Sequence, residues 1–290
     1  MKPSFMICEA PVCVGSPTQG SEFAFENLTQ NGLKDLFGDR AVFRRFVGPR
    51  TAPSVLCDPR LHDVETVMLV AGQLFDTLSD GFADGCFPIT VGGDHSVAIS
   101  TIAALAHHVG ADRTAVIYID GHADINTEET TLTGFIHGMP LAAAMGLCTD
   151  HLSVGTQKVN LYGQNLFIVG ARSIDEPEYG IIEQQGVHLY TADEVKRRGT
   201  AAVMDEILAK TAGMSVHLCL DVDSIDGEEF PSTGYVMPNG LSFDAVYDLL
   251  RRAWQSGDVA SFECVEYNPT LDRDGTDREK LMKIFRLFAE

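Results

Sequence analysis

Thr114-Ala115-Val116-Ile117-Tyr118-Ile119-Asp120-Gly121-His122-Ala123-Asp124 is the stretch whose reading decides the fold. Its first six residues form a nearly unbroken apolar and β-branched run. That composition suits a strand covered on both faces, as in a parallel sheet. Two carboxylates and an imidazole follow at once. The same grammar recurs twice: the run 87–91 leads into Gly92-Gly93-Asp94-His95-Ser96, and the run 215–220 leads into Asp221-Val222-Asp223-Ser224-Ile225-Asp226. Further strands are read at 5–12, 165–169, 186–190 and 259–265. Between them, Leu61, Val64, Met68, Ala71, Phe75 and Leu78 draw a helical stripe. A helix is expected over 96–108, stopped by Gly110. Another is expected from Ser242 as cap to Trp254, stopped by Gly257, and a last one opens on a Thr276/Glu279 capping box. Strands alternating with helices predict an α/β fold on a parallel sheet, read as one domain over 1–290. Such sheets carry their sites at the carboxyl ends of the strands, where all three polar strings lie.

His95, Asp120, His122, Asp124, Asp221 and Asp223 are therefore candidate metal ligands. Extended backbone turns side chains at i, i+2 and i+4 to one side, so Asp120, His122 and Asp124 are expected to face one point, and Asp221 and Asp223 likewise. Four carboxylates and two imidazoles suit two divalent ions such as Mn²⁺. Two such ions balance four negative charges and generate a hydroxide near neutral pH, which points to hydrolysis.

Composition narrows the classes. With 21 Lys and Arg against 41 Asp and Glu, the formal charge is −20. A field of that sign repels nucleic acid and anionic membranes and favours a cationic substrate. The hydrophobic share of 45% supplies a packed core. Seven cysteines without a CxxC pair read as reduced thiols, and Cys219 reads as a buried small apolar residue. With no signal peptide and no membrane-length apolar run, a cytoplasmic location is expected.

The three strings together resemble the ureohydrolase family of arginases, agmatinases and related guanidino- and formimino-hydrolases. The resemblance runs from Ala10-Pro11, Gly15, Gly20 and Asn31-Gly32-Leu33 to Val265-Glu266-Tyr267-Asn268-Pro269. It implies a three-layer αβα fold on a parallel, roughly eight-stranded sheet, with two Mn²⁺ ions per chain. One ion would take His95, Asp120, Asp124 and Asp221, the other Asp120, His122, Asp221 and Asp223. It further implies that a metal-bridging hydroxide attacks the guanidinium carbon and that Asp124 passes a proton to the leaving amine. His137, in Phe135-Ile136-His137-Gly138-Met139-Pro140, matches the proton-shuttle histidine, and Glu266 matches the glutamate that holds the guanidinium. A homo-oligomer, trimer or hexamer, is also implied.

Within the family, Asp124-Ile125-Asn126-Thr127 resembles arginase more than agmatinase. Asn126 and Thr133 match contacts to an amino acid's α-carboxylate, and Asp175 matches the contact to its α-amino group. Phe135 stands where a second asparagine is usual, Tyr235 where threonine is usual, Ser173 in place of an aspartate, and Gly121 in place of alanine, which is expected to be harmless. The leading expectation is arginase, converting L-arginine and water to L-ornithine and urea. A hydrolase of N-hydroxyarginine, agmatine, a guanidino acid or formiminoglutamate is the alternative, and a silent binding scaffold is the third reading. His107-His108, Lys196-Arg197-Arg198 and Arg44-Arg45 read as solvated helix surface.

Overall fold

The computed structural model describes residues 4–48, 51–52, 59–155 and 159–290. The alternating apolar runs build β1 (Ser4–Glu9), β2 (Ala41–Arg44), β3 (Cys86–Val91), β4 (Thr114–Ile119), β5 (Leu166–Ala171), β6 (His188–Thr191), β7 (Ser215–Asp221) and β8 (Val259–Val265). They form one sheet in the order β2-β1-β3-β8-β7-β4-β5-β6, and every pairing is parallel. Seven of the strands sit on the runs read from sequence. β2 was not read: Arg44 ends this strand rather than lying on a helix face. Its four residues alternate between half-buried and exposed at the sheet edge, too short and too wet to leave an apolar run.

Each strand sends alternate side chains into two separate cores. Phe5, Ile7, Ile117, Ile119, Phe167, Val169, Leu218, Leu220 and Phe262 pack on one side. Met6, Cys8, Val116, Tyr118, Leu166, Ile168 and Cys219 pack on the other. The helices divide accordingly. α1 (Val64–Ala83), α2 (Ala98–Val109) and α3 (Glu176–Gln185) cover the second side. α4 (Thr200–Thr211), α5 (Phe243–Ser256) and α6 (Thr276–Ala289) cover the first. This is the three-layer αβα arrangement, with full burial of β4 on both faces explaining why its run has no polar interruption.

Local signals placed the helix ends with one exception. Ser242 caps α5 by accepting a hydrogen bond from the Ala245 amide, and Gly257 closes it in left-handed backbone. α6, by contrast, is not opened by a capping box. Thr276 is already its first residue, Gly275 stands at the cap with no side-chain bond, and the Thr276 amide instead donates to Asp274. Among the described residues no helix is long and apolar enough to cross a membrane.

In the sheet order, β3, β8, β7 and β4 are consecutive. Their carboxyl ends therefore deliver His95, Glu266, Asp221 and Asp120 side by side, although up to 171 residues separate His95 and Glu266 in the chain.

Candidate active site

β4 stops at Ile119, and Asp120 to Asp124 leave the sheet as irregular backbone. Asp124 takes a left-handed φ of 49°. The expected extended alternation is thus absent: the loop's fold, not a strand's pleat, turns Asp120, His122 and Asp124 inward. Asp221 and Asp223 also part from that expectation. Asp221 ends β7 and caps a single 3-10 turn, its Oδ1 accepting from the Asp223 amide at 2.8 Å.

The six side chains nevertheless gather. His95 Nδ1 lies 2.8 Å from Asp120 Oδ2, 3.1 Å from Asp124 Oδ2 and 3.1 Å from Asp221 Oδ2. His122 Nδ1 lies 3.0 Å from Asp223 Oδ2 and 3.6 Å from Asp120 Oδ1. Asp120 therefore offers one oxygen to each imidazole. Two overlapping donor groups result, His95–Asp120–Asp221 and Asp120–His122–Asp223, each compact enough to hold a cation. Despite these short separations, His95 Nδ1 and Asp120 Oδ2 are buried with no hydrogen bond of acceptable geometry. Buried polar atoms without partners call for an explanation, and lone pairs converging on one point are what a metal ion requires. The donor set suits a hard-to-borderline divalent ion.

Electrostatics agree. Burial pushes the Asp221 carboxyl well up, and the neighbouring Asp223 and Asp120 charges add to the rise. Burial, then Asp120, raises Asp124 as well. Asp120 also suffers burial, but its close pairing with the His122 and His95 imidazoles wins, and its carboxyl is held low. Such a split is the signature of crowded carboxylates competing for too little positive charge.

A cavity of about 160 Å³ opens above this cluster. His122, Asp124 and His137 line it together with Asn126, Thr133, Phe135, Ser173, Asp175, Glu178 and Tyr235. No Lys or Arg is among the lining residues. Asn126 Nδ2 donates to Asp175 Oδ2 at 2.9 Å, so these two form one wall. Thr133 stands on the exposed rim, its Oγ1 accepting from the Phe135 amide at 3.3 Å. Phe135 stacks on His62, and the Tyr235 ring stacks on His137 and meets His122 edge-on. Glu266 does not line the cavity. Its Oε1 accepts from the His95 amide at 3.0 Å and lies 3.5 Å from His137 Nδ1. Burial works against a charged His137, but the Glu266 carboxylate outweighs it and raises the imidazole's pKa.

Three residues absent from the sequence reading, and one read only as core, complete the site. The Tyr118 hydroxyl donates to Asp124 Oδ2 at 2.9 Å, while its ring lies 4.4 Å from the His95 ring and parallel to it. Tyr118 sits inside the apolar run and looked like core. Glu178 accepts from the Ile125 and Asp175 amides, fixing the loop after Asp124 to the start of α3. Its spacing of three from Asp175, at a helix start, was the available signal. The Arg172 guanidinium donates to the carbonyls of Asp223, Met237 and Pro238. Cys219 is buried as expected but is not merely apolar: its Sγ lies 2.8 Å from His95 Nε2. Gly121 leaves room that its neighbours use. A Cβ there would come within 2.8 Å of Asp223 Oδ1 and crowd Arg172 as well.

A parallel α/β sheet with a carboxylate–imidazole cluster at its central strand ends defines a class of hydrolase. Comparison with known proteins narrows it. The model of the Arginase family matches residues 6–286. An arginase of Bacillus subtilis is 36% identical, with 94% of this chain and 93% of that protein covered. One of Bacillus caldovelox is 35% identical over 80% of this chain and 79% of its own length. The solved structure of the B. caldovelox arginase superposes with a TM-score of 0.91 at 30% identity, covering 100% of this chain and 99% of that one. The formimidoylglutamase of B. subtilis shares the fold at TM-score 0.75 and 24% identity, with 99% and 86% covered. The chain belongs to the arginase family. It is an amidinohydrolase enzyme, of the class acting on guanidino carbon–nitrogen bonds.

Proposed function

We propose that this protein is a dinuclear manganese arginase that hydrolyses L-arginine to L-ornithine and urea. The observation that carries the metal part is Asp120, with one oxygen 2.8 Å from His95 Nδ1 and the other 3.6 Å from His122 Nδ1. His95, Asp120, Asp124 and Asp221 would hold one ion, and Asp120, His122, Asp221 and Asp223 the other. When bound, the ions supply a hydroxide near neutral pH and offset the charge of the four carboxylates.

The chain's own residues handle binding and protons. The acid-rich, cation-free cavity draws a guanidinium inward, and Glu266, set behind it with Oε1 already accepting from the His95 amide, would orient the cation through its remaining acceptor capacity. Asp175 and Asn126 face the amino-acid end, supporting an α-amino contact at the first and a carboxylate contact at the second. Asp124, its Oδ2 already accepting from Tyr118, takes the proton released on attack and returns it to the departing amine nitrogen as the carbon–nitrogen bond breaks. His137, on the cavity wall beside Glu266, exchanges protons between site and water. The names of the B. subtilis and B. caldovelox relatives support arginine over formiminoglutamate. The reading carries with it one catalytic domain over 1–290, a homo-oligomer and a cytoplasmic setting. The described cysteines form no disulfide with one another, and Cys57 lies outside the described residues.

The deciding experiment is urea release with Mn²⁺ from arginine, N-hydroxyarginine, agmatine and guanidino acids, with formamide and ammonia release from formiminoglutamate run alongside. Arginine gives the highest kcat/KM. Rapid turnover of another compound with arginine inert would replace the substrate and leave the chemistry standing.

A further inference from the structure

Directly below His95, on the side away from the carboxylate cluster, four polar side chains are buried in the body of the sheet. Cys219 and His217 come from β7, and Glu263 and Ser261 from the adjoining β8. His217, Cys219 and Glu263 have no solvent exposure at all. The chemistry described so far uses none of them. Burying an ionisable group in an apolar interior is costly unless its charge is matched, so a Glu and a His between two apolar cores require an account.

Their geometry supplies one. His95 Nε2 lies 2.8 Å from Cys219 Sγ and 3.6 Å from Glu263 Oε1. Glu263 is held at its other oxygen by the Thr101 hydroxyl at 2.6 Å. His217 Nε2 lies 3.4 Å from Glu263 Oε1, and His217 Nδ1 is fixed by Ser261 Oγ at 2.8 Å. Both Glu263 Oε1 and His217 Nε2 lack a hydrogen bond of acceptable geometry. A carboxylate can only accept, and a thiol sulfur can accept weakly. Two acceptors beside Nε2 select the imidazole tautomer with its proton on Nε2. The lone pair is then on Nδ1, the atom that faces Asp120, Asp124 and Asp221.

We propose that Cys219 and Glu263 are positioning residues for His95: they fix its tautomer and ring orientation so that Nδ1 is presented as a ligand, and Thr101, His217 and Ser261 anchor Glu263 for that purpose. This rests on the dinuclear metal reading. Partners of this kind behind a ligating histidine raise its basicity and tighten metal binding, and losing one lowers affinity by roughly 10- to 100-fold.

The test is the Kd of Mn²⁺ measured by isothermal titration calorimetry on metal-free protein, with thermal unfolding of the same metal-free samples alongside. Cys219→Ala and Glu263→Gln are expected to weaken binding by roughly 10- to 100-fold. Cys219→Ser restores an acceptor at the same place and is expected to recover most of the lost affinity. A contact that served stability alone would lower the melting temperature and leave the Kd unchanged. Wild-type Kd in folded Cys219→Ala and Glu263→Gln would overturn the proposal. Should Glu263→Gln not fold, the Cys219→Ala and Cys219→Ser pair decides, because those changes remove little volume. A wild-type protein that takes up no Mn²⁺ would instead refute the metal reading itself, so the two failures are distinct.

Discussion

Phe135 shows what a single residue does to this pocket. It lines the cavity, stacks on His62 at 4.4 Å between ring centroids, and offers no side-chain donor. An asparagine in its place would add a neutral donor near the rim. One hydrogen bond to a charged acceptor contributes on the order of 1.5 kcal/mol, or about tenfold in kcat/KM. Phe135→Asn should therefore raise kcat/KM for L-arginine by about tenfold and leave agmatine, which lacks the carboxylate, nearly unchanged. Steady-state kinetics on both compounds check this, and an equal change for the two would contradict a carboxylate contact. Glu178 carries a second residue-scale consequence. Burial lifts its carboxyl from 4.5 to about 7, although the Ile125 and Asp175 amides pull the other way. The folded state thus holds the proton more tightly than the unfolded chain. The associated stability is complete below about pH 4.5 and is lost as pH rises through about 7. The loss is on the order of 3 kcal/mol. Glu178→Gln cannot titrate, so its melting temperature should gain on wild type by roughly 5 °C across that interval. A gap between the two curves that stays flat with pH would sink this assignment.

At the scale of elements, the turn after β3 has little freedom. Gly93 has φ +84°, and a Cβ on it would lie 2.5 Å from the Ala10 carbonyl oxygen and 3.0 Å from that of Val12. Its own carbonyl accepts from the Glu266 amide. Backbone cannot retreat as a side-chain tip can. Gly93→Ala should cost about 2–3 kcal/mol, from left-handed strain together with the clash. It should also shift His95, two residues on. Thermal unfolding and Mn²⁺ calorimetry would both register it, and a variant with wild-type values in each would show the turn to be more compliant than its contacts indicate. This scale also explains what the sequence made legible. Strands buried on both faces leave continuous apolar runs, which made six readable, and the half-buried edge strand β6 was read from the run 186–190. β2, half-exposed at the edge, left only Ala41-Val42-Phe43-Arg44. The six candidate ligands were readable because they directly follow those runs, whereas Asn126, Thr133, His137, Asp175 and Glu266 were named by resemblance alone. Their geometry was not. Asp124 and Glu266 both adopt left-handed backbone, at φ 49° and 62°, and nothing in residue spacing reports a positive φ on an Asp or a Glu. Tyr118, Cys219 and Glu263 were hidden because strand alternation treats any side chain inside a run as core. Only the three-dimensional placement of His95, Asp124 and Thr101 around them gives those positions polar partners.

For the whole molecule, the sheet order brings four strand ends together from four regions of the chain, and the charge they collect is one-sided. The cavity above them is floored by acids and lined by no Lys or Arg. Whatever fills it from solution couples to folding, since a ligand that binds only the native state stabilises by RT ln(1 + [L]/Kd). Chelation should accordingly lower the melting temperature and Mn²⁺ restore it, with a gain of about 2.7 kcal/mol at 100 times Kd, read by calorimetry. The same coupling reaches two reagents found on every bench. Guanidinium chloride delivers the bare cation that this cavity is shaped to attract, and urea is the product of the proposed reaction. Each common denaturant of this protein is then also a small ligand of its native state, working for the fold at low concentration and against it at high. Equilibrium curves in either one should bend away from linearity at their dilute end, and heat is the cleaner perturbant for ranking variants.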